Sequence, residues 1–293
     1  MLPKVLIGLF ALELATCIVV GIHMFGDEVA ARRGELALCI ALYLLVVRLL
    51  AVLASFLYAA RHDTPAQSPL AWLRTVLEEY AVTLLAFSVL IPLSFVFAPR
   101  LSPNAARGRA VVVLVHGLLS NRGVWWLFAR RLRREGLLVD SLDLVPTFGD
   151  LDRYVDQLDR HIEQLARHAP TRLVLVGHSM GGLVCRAWLA RRGGGCVSRL
   201  VTLGSPHGGS RTARFLPGPN LRQMRPRSDW LLALPALLPV PAIALYSAHD
   251  NLVVPFALGR CEGIESEEWR GLGHLSLLFD HRVFERARQL IVA

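Results

Sequence analysis

The segment Thr171-Arg-Leu-Val-Leu-Val-Gly-His-Ser-Met-Gly-Gly182 carries the strongest structural signal in this sequence. Its apolar half predicts a short buried strand, and the residues from Met180 onward predict a helix. The turn between them, Gly177-His-Ser-Met-Gly181, matches the G-x-S-x-G pattern of a nucleophile elbow. Glycines on both sides of Ser179 let the helix and neighbouring strands approach closely, which pushes the hydroxyl into the open. The turn therefore predicts Ser179 as a nucleophile at a helix amino end, where developing negative charge is favoured.

Apolar runs alternate with amphipathic segments on both sides of this turn, from residue 110 to residue 292. The alternation predicts an α/β fold, a mostly parallel sheet with helices on both of its faces. The predicted strands cover residues 110–115, 137–145, 173–176, 197–203, 242–246 and 264–270, and the predicted helices cover 124–135, 151–169, 180–192 and 283–292. An irregular insertion at 211–241 forms either an apolar cap over the site or a cover for the sheet edge.

A nucleophilic serine needs a base and an acid that orients the base. In this architecture both follow the serine in the chain, at the carboxyl ends of strands. Asp250 comes directly after the strand at 242–246, whereas its acidic competitors fit solvated charges: Glu262, Glu265, Glu267 and Glu268. His274 follows the last strand between flexible glycines, and its rival His281 fits a helix start. We therefore expect a triad of Ser179, Asp250 and His274.

The turn after the first strand, His116-Gly-Leu118, supplies a candidate oxyanion hole. The backbone N–H groups of Leu118 and Met180 are the expected donors, unless the turn serves packing alone. His178 lies inside the elbow and is expected to point away from the serine. The candidate substrate-binding residues are the small or polar ones beside these turns: His116, Gly117, His178 and His207.

Three long apolar segments precede residue 100, at 5–25, 36–60 and 80–98. Each is long enough to cross a bilayer as a helix. They predict a transmembrane anchor of about three helices at residues 1–99, before a catalytic domain at 100–293. The alternatives are a cleaved signal peptide for the first segment and a soluble helical bundle for all three. Glu13 and Arg48 interrupt two segments and are expected to pair, unless Arg48 faces a lipid head group or substrate. Flanking arginines weakly favour a cytoplasmic catalytic domain.

The composition fits a membrane-associated protein. Hydrophobic residues make up 54% of the 293 residues, and the formal net charge is +9. No nucleic-acid recognition motif accompanies the charge, so we expect membrane lipids and no nucleic acid as partners. The five cysteines form no C-x-x-C pair and indicate neither a disulfide framework nor a zinc site. No cofactor motif is present, and we predict neither a cofactor nor a metal ligand.

Five pieces of the chain together resemble the α/β-hydrolase superfamily, and bacterial lipases and esterases within it. They are residues 114–118, 176–182, 202–209, 246–250 and 273–274, and the segment Thr202-Leu-Gly-Ser-Pro-His-Gly-Gly209 is the most lipase-like. The resemblance spans about residues 110 to 292 and implies the same triad. It implies hydrolysis of a lipid or apolar ester in a bacterial inner membrane. An acyltransferase or thioesterase, or an inactive membrane scaffold, would be the alternative.

Overall fold

The computed structural model describes residues 33–101, 106–168 and 170–293. Their centre is a six-stranded, fully parallel sheet in the order β2-β1-β3-β4-β5-β6. The strands are β1 Ala110–Val115, β2 Leu138–Leu142, β3 Arg172–His178, β4 Val197–Leu203, β5 Ala242–Ser247 and β6 Glu265–Trp269. This arrangement confirms the predicted α/β class and parallel sheet. Because all strands run the same way, the loops after β1, β3, β5 and β6 leave from one edge of the sheet.

Helices cover both faces of this sheet. In chain order, the helices of the described residues are α1 Arg33–Ala60, α2 Pro69–Leu85, α3 Ser94–Phe97, α4 Trp126–Arg134, α5 Leu151–Ala166, α6 Met180–Arg192, α7 Pro219–Gln223, α8 Asp229–Leu232, α9 Ser276–Phe279 and α10 His281–Val292. Alternate residues of β1 enter two separate cores, Val113 with α5 and α6, and Leu114 with α4 and α10. A strand buried on both faces needs a continuous apolar run, which explains the sequence of β1.

The third apolar segment does not form the predicted spanning helix. After α2 ends at Leu85 the chain makes a π-helical turn at Ala86–Leu90 and then the short helix α3. Pro92 lacks a backbone N–H and cannot continue a regular helix. Leu90 and Ile91 are buried against protein, and the Leu90 carbonyl lies where a Cβ on Gly123 would stand. The apolar residues here thus pack partly on the part of the chain that contains the sheet.

One helix of the described residues remains long and apolar enough to cross a membrane. The stretch Leu42–Ala60 of α1 has 19 residues and a mean hydropathy of 2.2. Large apolar side chains such as Leu42, Leu50 and Leu57 are more than half exposed along it. The predicted number of about three spans is therefore wrong for this part of the chain, and a multi-pass topology is not supported. The first apolar segment, with Glu13, lies outside the described residues.

The insertion between β4 and β5 is built from short helical turns. A 3-10 turn at Arg211–Arg214 is followed by α7 and α8, and the intervening backbone is irregular. Leu221 and Met224 of this region are buried in the core, whereas Leu232 and Leu237 are exposed. The insertion therefore contributes both to the core and to the surface.

Candidate active site

Ser179 lies in the sharp turn that joins β3 to α6. Its backbone has φ 54° and ψ −127°, a conformation that non-glycine residues rarely adopt. A Cβ on Gly177 would lie 2.5 Å from the Gly182 backbone, and one on Gly181 would lie 2.2 Å from the Val115 carbonyl oxygen. Only glycines fit these two positions. The tight packing holds the strained serine at the amino end of α6.

The loops after β5 and β6 bring Asp250 and His274 into direct contact. His274 donates from Nδ1 to Asp250 Oδ2 over 2.8 Å, and both side chains are buried. The other carboxylate oxygen of Asp250 accepts the backbone N–H groups of Leu252 and Val253 at 2.7 and 2.8 Å. These bonds leave the Asp250 carboxylate little freedom to rotate. With Nδ1–H donated to Asp250, the neutral imidazole carries its lone pair on Nε2, the nitrogen that a general base uses.

The electrostatic surroundings of His274 favour its protonated form. Burial lowers the pKa of His274, but the charge and hydrogen bond of Asp250, with the charge of Glu79, more than offset this. The pKa of His274 therefore lies above its ordinary value of 6.5. A raised pKa suits a base that must hold a proton transiently during acyl transfer.

The position of His178 differs from the one expected from the sequence, in which its side chain points away from Ser179: His178 lines the same cavity as Ser179. Its ring lies 4.7 Å from the His274 ring, and its Nε2–H donates to the His274 carbonyl oxygen over 3.2 Å. Burial, followed by the positive charge of His274, holds the pKa of His178 well below its ordinary value. A neutral His178 can support the backbone of His274 without adding a competing charge.

The turn that carries Leu118 lies directly against the elbow. A Cβ on Gly117 would be 2.8 Å from the Ser179 Cβ and 3.2 Å from His178 Nδ1. Leu118 lines the same cavity as Ser179. Met180 opens α6, and N–H groups of a first helical turn have no partner within the helix. Both proposed oxyanion donors thus belong to backbone segments that flank Ser179.

Replacing Gly117 with alanine should therefore disturb the site without creating a cavity in the core. The added methyl group must push the turn at Leu118 away from Ser179, and loss of an oxyanion donor typically costs about 10²–10³-fold in kcat. The measurement is kcat on a soluble nitrophenyl ester. The control is Gly136→Ala, where the new methyl group meets nothing within 4 Å and the cost is backbone strain at φ 78°, which should lower stability but leave kcat unchanged. A Gly117→Ala variant with wild-type kcat would contradict the assignment of this turn.

Two of the predicted substrate-binding histidines lie off the cavity. His116 uses both ring nitrogens on backbone groups, to the Gly117 carbonyl at 2.8 Å and from the Leu144 N–H at 2.9 Å. His207 shares a 2.9 Å hydrogen bond with Thr202 Oγ1, and burial lowers its pKa to about 3. Neither residue is among the described residues that line the cavity. Their contacts are those of neutral histidines that tie loops together.

A cavity of about 570 Å³ opens beside Ser179, His178 and His274. Its remaining wall is mostly apolar. Besides the loops that follow the strands, three parts of the chain contribute to it: Ala54, Ser55 and Tyr58 of α1; Phe87 and Ile91 after α2; and Phe215, Leu216, Leu221 and Met224 of the insertion. Tyr58 also meets Phe215 edge-on, with ring centroids 5.0 Å apart, and Arg214 donates to its hydroxyl over 2.8 Å. The N-terminal helices and the insertion thus share one wall of the site.

The sequence reasoning missed three side chains that hold the His274 loop. Glu79 accepts from the backbone of Leu275 and Ser276, and Asn251 accepts the His274 N–H over 2.9 Å. Ser55 accepts from the Asn251 side-chain amide over 2.8 Å. A carboxylate on the buried stripe of α2, beside Thr75 and Val76, is the signal that could have revealed Glu79. Within the described ranges, no group of three or more His, Cys, Asp or Glu side chains could hold a metal ion.

Solved structures of lipases and esterases have this architecture. A Bacillus licheniformis lipase in its mature form superposes with a TM-score of 0.56 and 17% identity, over 67% of this chain and 96% of that one. An Aspergillus fumigatus lipase B superposes with a TM-score of 0.59 and 16% identity, over 67% of this chain and 55% of that one. An Exiguobacterium antarcticum esterase superposes with a TM-score of 0.52 and 18% identity, over 64% of this chain and 93% of that one. The fold is that of the α/β-hydrolases.

Comparison of sequences matches a shorter part of the chain than comparison of structures does. A model of the PGAP1-like alpha/beta domain matches residues 145–214, a stretch that includes the elbow and β4. No curated protein matches the chain. Because the structural relatives share under a fifth of their residues with this chain, the similarity supports the fold, and the activity has to be argued from the site.

Proposed function

We propose that this chain is a membrane-anchored serine hydrolase that cleaves carboxylic esters of lipids or other apolar acyl groups. One observation carries the proposal: Ser179, on a strained elbow, shares an apolar cavity with His274, which is hydrogen-bonded to the buried Asp250. A scaffold that only binds has no use for this combination. In an acyl-transfer enzyme each of the three residues has a defined task.

In the proposed reaction Ser179 Oγ attacks the ester carbonyl carbon, and His274 Nε2 takes the hydroxyl proton. Asp250 stabilises the imidazolium through Nδ1, and the backbone N–H groups of Leu118 and Met180 bind the oxyanion. Collapse of the tetrahedral intermediate breaks the ester bond, and His274 returns the proton to the departing alcohol. Water, deprotonated by His274, then hydrolyses the acyl-enzyme and restores the free serine.

The apolar wall of the cavity supports an acyl chain as the group that binds there. Its side chains Ile91, Phe215, Leu216 and Leu221 offer no charge that would fix a polar substrate. Each methylene that such a wall removes from water contributes about 0.8 kcal/mol. A cavity of this size accepts a chain of several carbons beside the reacting carbonyl.

The position of α1 supports delivery of that chain from a bilayer. Its apolar outer side, with Leu42, Leu50 and Leu57, is exposed over a length that suits a membrane span. Its other side gives Ala54 and Tyr58 to the cavity wall. The division into an anchor at 1–99, a catalytic domain at 100–293 and a cap at 211–241 belongs to this proposal. Residues 54–91 are then part of the site as well as of the anchor.

The substrate proposal predicts that filling the wall at Ala54 shortens the accepted acyl chain. In Ala54→Trp the indole should displace at least two methylenes, lowering kcat/KM for dodecanoyl esters about 15-fold relative to acetyl esters at ~0.8 kcal/mol per methylene. Full-length protein in detergent would be assayed with nitrophenyl esters from two to sixteen carbons. The matched control is Ala60→Trp, since Ala60 is exposed on α1 away from the cavity.

Other outcomes of this experiment would revise the proposal. Equal losses at every chain length in Ala54→Trp would mean that the cavity does not bind the acyl group. If the wild type forms an acyl-enzyme but releases it only to an added alcohol or thiol, the chain is an acyltransferase. A folded wild type without turnover on any ester would contradict the hydrolase proposal.

A further inference from the structure

Glu79 is a buried carboxylate from the N-terminal region that reaches the loop carrying His274. It lies on α2 and is 1% exposed. Its Oε1 accepts the Leu275 N–H over 2.8 Å, and its Oε2 accepts the Ser276 N–H and hydroxyl over 2.8 and 2.7 Å. Three donors from the two residues after His274 thus converge on one side chain, 196 positions or more away in sequence.

Close packing on the other side of the histidine strengthens this contact. A Cβ on Gly273 would lie 2.4 Å from Glu79 Oε2, so the loop backbone is pressed against the carboxylate. The His274 N–H itself donates to Asn251, which is tied in turn to Ser55 of α1. Two helices that precede the sheet therefore contribute to holding this loop at successive residues, through Asn251 at His274 and through Glu79 at Leu275 and Ser276.

Burial of a carboxylate is costly unless its oxygens are fully hydrogen-bonded. Burial raises the pKa of Glu79, and its bonds to Leu275 and Ser276 oppose this rise. Neighbouring Glu78 has no such role, because its side chain is 40% exposed and pairs with Arg74 over 2.7 Å on the surface of α2. A buried carboxyl group whose hydrogen bonds go to the two residues after His274 indicates a task at that loop.

We propose that Glu79 is a positioning residue, which holds the loop after β6 so that His274 stands in register with Asp250 and Ser179. This inference rests on the proposed function, since it assigns a supporting group to the proposed base. It makes the N-terminal region a part of the hydrolytic machinery rather than a detachable anchor. Displacement of a catalytic group by about 1 Å costs roughly 10²-fold in rate, so the hold on this loop affects kcat.

The test compares Glu79→Gln with the matched variant Glu78→Gln in the full-length, detergent-solubilised protein. Fluorophosphonate titration counts active sites, so that kcat refers to folded enzyme only. In Glu79→Gln an amide nitrogen replaces one acceptor oxygen and faces a donor, and we expect kcat per titrated site to fall about 100-fold with KM unchanged. Glu78→Gln should stay within two-fold of the wild type. Ser276→Ala removes one of the three hydrogen bonds to Glu79 and should lower kcat by a smaller factor. This variant keeps the proposal testable if Glu79→Gln does not fold.

Hydrogen–deuterium exchange on peptides spanning 271–279 gives a readout that does not depend on activity. We expect faster exchange there in Glu79→Gln and Ser276→Ala, and no change in β1 or β3. Unchanged exchange, or faster exchange with wild-type kcat per site, would overturn the inference. If the wild type itself cannot be titrated, the proposed function fails, and the exchange comparison still decides whether Glu79 holds the loop.

Discussion

Replacing His274 with alanine should lower kcat by about 10⁶-fold while leaving ester binding almost intact. The imidazole is the proposed base for Ser179 and the proposed acid for the leaving alcohol, so its loss affects both halves of the reaction. Its Nδ1 is engaged by Asp250 over 2.8 Å, which leaves Nε2 for proton transfer. The measurement is kcat and KM on an acetyl and a decanoyl nitrophenyl ester.

The control for this variant is His281→Ala. His281 is the rival histidine in sequence order, but its side chain is 73% exposed and lies 3.8 Å from Glu285 at the start of α10. We expect kcat within two-fold of the wild type. A large loss in His281→Ala, with little loss in His274→Ala, would show that the base has been misassigned.

Replacing Asp250 with asparagine should lower kcat by about 10⁴-fold, a smaller effect than removal of the base. Asparagine preserves the shape, but its single amide oxygen cannot accept both the backbone N–H groups of the loop and the Nδ1–H of His274. It also removes the charge that stabilises the imidazolium. Circular dichroism should be unchanged, although the bonds to Leu252 and Val253 use the same carboxylate.

The Asp250→Asn variant also tests how the activity depends on pH. His274 must be neutral to act as a base, so activity rises as pH increases through its pKa. Asp250 is the strongest of the neighbours that raise this pKa, and in the wild type the acid limb of kcat/KM should have its midpoint above pH 6.5. In Asp250→Asn the midpoint should move to lower pH. A midpoint that stays in place would mean that another group controls the limb.

Local patterns were sufficient for the sheet and for the elbow. Buried parallel strands such as β1 and β3 are continuous apolar runs, and the turn at Ser179 has a characteristic glycine spacing. The acidic strand β6 was a weaker prediction, because it lies at the sheet edge and its glutamates pair with arginines such as Arg286. The rule that the acid and the histidine follow the serine in the chain then favoured Asp250 and His274 as the other members of the triad.

Contacts between distant segments could not be predicted in this way. The run at 80–98 is as apolar as a membrane span, but its residues form a π-helical turn and a short helix, and Leu90 and Ile91 pack on protein. The contact of Glu79 with Leu275 joins residues 196 positions apart. His178 approaches His274 only because the loop after β6 folds back over the elbow. Such neighbours depend on tertiary packing, which the spacing of a motif does not encode.

The most direct test of the proposed function is to identify the serine that a fluorophosphonate probe modifies covalently. Wild-type protein and Ser179→Ala, both purified whole in detergent, would be labelled, digested and analysed by mass spectrometry, with Ser198→Ala of β4 as the control serine. We predict one adduct per chain, on the peptide containing Ser179, with no labelling of Ser179→Ala and normal labelling of Ser198→Ala. An adduct on another serine, or none on folded wild type, would contradict the assignment of Ser179 as the nucleophile.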